Sequence, residues 1–153
     1  NDERTIFFIR GVMETVKKLR WTPDIIHCEG WMTALAPLYI KKAYNQDPFF
    51  KNSKVVYSVF DDEFKKPFRP SFAENLRLEG IEDEDVQKIK GKELDFAALT
   101  RFAIDFSDGV VQSSKNINSE VLKYIGENNS KFLEFQDPED YADDYVRFYD
   151  SLM

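Results

Sequence analysis

The segment Asp24-Ile25-Ile26-His27-Cys28-Glu29-Gly30-Trp31 brings a histidine, a carboxylate and an indole close together. His27 is the only histidine in the chain. His27 and Glu29 stand two apart on an extended segment, so their side chains can point the same way. Such a pair can contact a ligand hydroxyl or act as acid and base. The plainer alternative is a half-buried imidazole hydrogen-bonded to backbone. Trp31 can stack on a sugar ring, or simply pack its own turn onto the fold. Asp61-Asp62-Glu63 forms a second polar group. It is either a solvated turn or a Mg²⁺ site for phosphoryl transfer. Ser113-Ser114 can bind a hydroxyl or a phosphate, or cap a helix. A metal site at His27 and Glu29 would need a further ligand such as Asp61 or Asp62.

These groups are positioned by strand ends. Ile25 to Cys28 reads as a buried strand, Val55 to Phe60 as a second, Val110 to Ser113 as a third and Phe132 to Phe135 as a fourth. Ligands in an open α/β sheet bind beyond the carboxyl ends of its strands, and all the candidate residues lie at such ends or beside them. Helical patterns separate the strands. Ile6, Ile9, Met13, Val16 and Leu19 recur at steps of three and four, which predicts an opening helix. Thr22-Pro23 ends it. A second helix is expected over about Met32 to Tyr44, with Pro37 in its first turn. Ser71-Phe72-Ala73-Glu74 has the pattern of a capping box. A short helix over Asp83 to Ile89 and a longer one marked by Leu99, Phe102, Ala103 and Phe106 follow. Val121, Leu122 and Ile125 mark another, closed by Gly126. Asp137-Pro138 reads as the start of a last helix, with Tyr141, Tyr145, Phe148, Tyr149 and Leu152 as its buried stripe. Strands alternating with helices predict a three-layer, Rossmann-like α/β domain with a parallel sheet, one domain over residues 1–153.

Composition narrows the classes. The net charge is −7 and hydrophobic residues make up 42%, so the chain can form a real core but repels nucleic acid and anionic membranes. No apolar run reaches the ~20 residues of a membrane span. Cys28 is the lone cysteine and has no internal partner, which makes a cytoplasmic protein the simplest reading. The six glycines are scattered, so there is no dinucleotide fingerprint or phosphate loop. The chain opens on Asn1-Asp2-Glu3-Arg4 in a helical pattern, and a piece of a longer protein is expected. A homo-oligomer is compatible with the many Phe and Tyr side chains.

Residues Pro23 to Tyr39, PDIIHCEGWMTALAPLY, closely resemble a signature of bacterial glycogen synthases and plant starch synthases. Lys54 to Asp61 is similar to the family's strand K-V-V-[FY]-T-I-H-N. Phe102 to Ser114 is similar to its segment ending A-D-x-[VI]-x-T-V-S. The resemblance extends to about Ile125. It implies the N-terminal-domain portion of a two-domain GT-B glycosyltransferase that moves glucose from ADP-glucose or UDP-glucose to an α-1,4-glucan. In such enzymes this domain mainly holds the acceptor and part of the glucose. The second histidine of the family's H-x-H is Glu29 here, and the His-Asn of its second strand is Phe60-Asp61. Taken together, Glu29 and His27 are the expected catalytic residues, and Trp31, Asp61 and Ser114 the expected substrate-binding ones. No metal or cofactor is expected. An alternative is a catalytically inactive glucan- or sugar-binding module derived from the family.

Overall fold

The computed structural model describes residues 1–153. Four strands, β1 (Ile25–Glu29), β2 (Lys54–Val59), β3 (Gly109–Gln112) and β4 (Lys131–Leu133), form one sheet in the order β1-β2-β3-β4. Every neighbouring pair is parallel, with His27 opposite Val56 and Val56 opposite Gly109. Parallel pairing of consecutive strands demands crossovers, and right-handed crossovers in this order place all the connecting helices on one face.

That face carries the main core. It gathers Val55, Tyr57, Val59 and Val110 from the strands with α1 (Asp2–Lys18), α2 (Ala36–Leu38), α3 (Phe72–Asn75), α4 (Asp83–Val86), α5 (Phe96–Asp105) and α6 (Ser119–Glu127). The opposite face is smaller. There Val56 and Val111 meet Phe148 and Leu152 of α7 (Tyr141–Leu152). The expected three-layer, Rossmann-like α/β architecture is therefore present. Asp108 ties the sheet's amino end: its backbone N–H donates to the Val55 carbonyl at 2.8 Å, its Oδ2 accepts the Val55 N–H at 2.7 Å, and Lys41 pairs with it at 2.5 Å.

Several helix ends depart from expectation. Trp31–Thr33 forms a 3₁₀ turn, and α2 begins only at Ala36 and then widens into a π segment, Tyr39–Ala43. Ser71 makes no cap, because its backbone already lies in the helical region while a cap requires an extended one. The reciprocal arrangement forms instead at Glu82, whose N–H donates to Asp85 at 2.9 Å. Gly126 lies inside α6, and Asn129 takes the left-handed position beyond it. Asp137-Pro138 closes a turn in which the Asp137 carboxylate accepts the Glu139 N–H. The last helix starts later, at Tyr141. Leu19 of the opening stripe is exposed, as are Phe7 and Phe8 on the outer side of α1. No helix is long and apolar enough to cross a membrane.

Candidate active site at the carboxyl end of the sheet

The sheet separates residues that the sequence places side by side. Side chains alternate along a strand, so Cys28 enters the main core while His27 faces α7. The Cys28 thiol is pushed up to about 12 by burial, so it is not a nucleophile at neutral pH. His27 Nδ1 lies 2.5 Å from the Tyr149 hydroxyl and Nε2 lies 2.5 Å from Ser58 Oγ. Both ring nitrogens are thus occupied, by side chains rather than backbone. Tyr145 stacks on the imidazole at 6.0 Å and Tyr149 meets it edge-on at 5.7 Å.

Burial holds His27 below its ordinary value of 6.5, and the Glu29 charge opposes this. The consequence for stability has a definite sign. Below pH 6.5 the unfolded chain binds a proton that the native site resists, so stability falls as the pH drops through that value. Denaturant midpoints measured from about pH 7.5 to pH 5.5 should decline, and His27→Gln should flatten that decline. An identical pH slope in the variant would show that His27 titrates freely.

Glu29 ends β1 with an exposed carboxylate on the α7 side. Beyond it the chain turns sharply. Gly30 has φ +74°, and its carbonyl accepts the buried Tyr57 hydroxyl at 3.1 Å. The Trp31 N–H donates to Asp62 Oδ2 at 3.2 Å. Asp62 therefore latches the loop after β2 onto the turn after β1. Burial raises its carboxyl above the usual range, the Trp31 N–H opposes the shift, and Asp61 and Glu63 add to it. A Cβ at position 30 would lie 2.7 Å from Asp62 Oδ2. Gly30→Ala is expected to cost about 2 kcal/mol, from the left-handed backbone and the displaced carboxylate. Urea unfolding checks this. The cost should shrink in an Asp62→Ala background, where nothing is left to displace.

Trp31 itself lies on the other face from His27. Its half-buried indole meets Phe64 at 5.2 Å and Phe68 at 6.1 Å, edge-on in both cases. Packing, more than an open platform, describes this side chain. Asp61 and Ser114 are brought together, since the Asp61 N–H donates to Ser114 Oγ at 2.9 Å. That contact joins the β2 and β3 loops. The Asn118 amide donates to Glu63 at 2.8 Å and closes the rim. Asp61 is exposed while Asp62 turns inward to Trp31, and no three His, Cys, Asp or Glu side chains converge as a metal site would need. A concavity of about 940 Å³ lies instead along α1, between Phe7, Phe8, Val12 and Met32.

Sequence reasoning missed three residues here. For Asp62 the residue types suggest a solvated turn or a metal ligand, and neither is its role as a latch. Its signal was its place just past β2, opposite the glycine just past β1. Ser58 and Tyr149 lie 31 and 122 positions from His27 and carry no local signal.

A parallel sheet with polar loops at its carboxyl end and helices on both faces is the build of a Rossmann-like α/β domain. The catalytic domain of starch synthase IV from Arabidopsis thaliana, bound to ADP and acarbose, has this fold. It superposes with a TM-score of 0.65 at 19% identity, over 89% of this chain and 29% of that one. A family profile described as the starch synthase catalytic domain matches residues 1–135. The glycogen synthase of Clostridium perfringens is 35% identical over 130 residues, 82% of this chain. That of Chlorobium chlorochromatii is 49% identical over 57 residues, 37% of this chain. The chain belongs to the starch and glycogen synthase family. It spans 26% of the Clostridium enzyme, about a quarter of such a protein.

Proposed function

We propose that this chain forms the acceptor side of a glucosyltransferase site. Glucose would move from ADP-glucose or UDP-glucose to the non-reducing end of an α-1,4-glucan. The bond from the glucose anomeric carbon to the diphosphate breaks, and a bond to the glucan's terminal hydroxyl forms. The hydroxyl proton leaves with the nucleoside diphosphate. The reading requires no metal or organic cofactor.

The observation that carries it is Glu29, an exposed carboxylate on the family-matched segment, held at the sheet's carboxyl end by the turn that the Trp31 N–H to Asp62 hydrogen bond latches. A carboxylate so placed accepts hydrogen bonds from sugar hydroxyls. His27 stands behind it, uncharged and fixed by two hydroxyls, and keeps β1, β2 and α7 in register. Asp61 and Ser114 extend the same rim toward β3. The ADP and acarbose held by the Arabidopsis domain support a nucleotide-sugar donor and a glucan acceptor.

The test is incorporation of labelled glucose from ADP-glucose, and separately from UDP-glucose, into glycogen by the natural protein that carries this segment. Incorporation from either donor supports the reading. Maltodextrin binding with no incorporation from both donors would replace it with the binding-module alternative.

A further inference from the structure

The far side of the sheet carries a tyrosine ladder whose outer member, Tyr141, does not touch His27. The α7 helix follows the carboxyl end of β4 and runs back down the sheet. Its last residues lie at the amino ends of the strands, where Leu152 sits beside Asp108, Asn129 and Lys131. Its first turn is therefore nearest the carboxyl-end rim. Tyr141, Tyr145 and Tyr149 recur every four residues, so they share one side of the helix. Tyr141 meets Tyr145 edge-on at 5.3 Å, Tyr145 meets Tyr149 at 6.2 Å, and Tyr145 stacks on His27. Tyr141 is 48% exposed. Glu29 is close enough for its charge to raise the Tyr149 phenol, although burial is the larger cause.

Residues 136–153 lie beyond the family-matched segment 1–135, so family membership alone supplies no role for these tyrosines. Charge selects the ligand. Glu29 lies within reach of the strip, and the start of α7 beside it is acidic, with Asp140 at the cap, Glu139 just before it and Asp143 and Asp144 in the first turn. The one cation on α7, Arg147, is paired with Asp144 at 2.6 Å. A diphosphate would be repelled by these carboxylates. A neutral, hydroxyl-rich chain would not. Exposed aromatic rings offer apolar area at low entropic cost to the C–H faces of sugars, and a carboxylate accepts their hydroxyls.

We propose that Tyr141 and Tyr145, with Glu29 at the rim, form a binding strip for the glucan acceptor and not for the nucleotide. This rests on the glucosyltransferase reading and assigns its acceptor contact to α7.

The experiment compares the natural protein with its Tyr141→Ala and Tyr141→Phe variants. Maltoheptaose and ADP binding are measured by titration calorimetry, and KM and kcat by glucose incorporation. Tyr141 is half exposed and its replacement leaves the Tyr145–His27 stack in place, so the melting temperature serves as the folding control. Tyr141→Ala should weaken maltoheptaose binding and raise the glucan KM by about three- to tenfold. ADP binding should not change, and Tyr141→Phe, which keeps the ring, should lose less maltoheptaose affinity than Tyr141→Ala. Unchanged maltoheptaose affinity in a folded Tyr141→Ala protein overturns the strip. So does an equal loss of ADP affinity. The calorimetry needs no turnover, so a protein that transfers no glucose but loses maltoheptaose affinity in Tyr141→Ala keeps the strip and loses the transferase reading.

Discussion

Glu29→Ala should lower kcat/KM for glucose transfer by about ten- to hundredfold, the effect of removing one charged hydrogen bond to a reacting sugar. The fold should be indifferent to the change. Glu29 is exposed and lies outside both core clusters, so little packing is lost. A fall in activity with an unmoved melting temperature would therefore localise the defect to the site. Glu29→Gln keeps a hydrogen-bonding group of the same reach and should fall between the two. A drop in kcat with KM unchanged would place the contact in the transition state alone, and a rise in KM alone would make it a binding contact. Unchanged kcat/KM in Glu29→Ala would show that the site lies elsewhere along the rim.

Phe148→Ala should carry the largest stability loss, about 3 kcal/mol. Phe148 is 8% exposed and anchors the small cluster with Val56, Val111 and Leu152. Its ring lies over Gly109, where any Cβ would come within 2.8 Å of it. Nothing larger than glycine lets the helix sit so low on β3. Truncating the ring leaves a void that the rigid sheet cannot fill. A local consequence follows, because α7 also supplies the Tyr149 hydroxyl and the Tyr145 face to His27. Loosening the helix hydrates the imidazole, so its pKa should rise toward the ordinary 6.5. Urea unfolding gives the first number and an NMR titration of the ring gives the second. A loss under about 1 kcal/mol with an unmoved imidazole would mean that α7 is held by other contacts.

The strands were legible because short β-branched runs such as Lys54–Val59 have few alternatives, and the polar stretches between them marked the turns. Helix ends were less so. Ser71 and Glu74 have the residue types of a capping box, but the backbone at Ser71 is helical and the box has no extended residue to start from. Asp137 precedes a proline as a helix cap does, yet its carboxylate closes a turn on Glu139. In both cases a local motif was present and the chain's path decided its use. The site divides the same way. Glu29 and His27 do share a face, as strand alternation requires. The opposite placement of Trp31 depends on the left-handed turn at Gly30, which residue types do not reveal. The roles of Asp62, Ser58 and Tyr149 exist only through pairing across distant segments.

The strand order has a further consequence during synthesis. Because each strand pairs with the one made just before it, the sheet can be laid down from the amino end as the polypeptide leaves the ribosome. The connecting helices emerge in step and cover one side as they go. The other side waits. Within residues 1–153, Ile25, Val56, Val111 and Leu133 have no cover until α7 is made, so up to that point this segment presents an apolar face to chaperones and to neighbouring chains. His27 gains its tyrosine partner last of all, and completion of the site coincides with the end of that exposed interval.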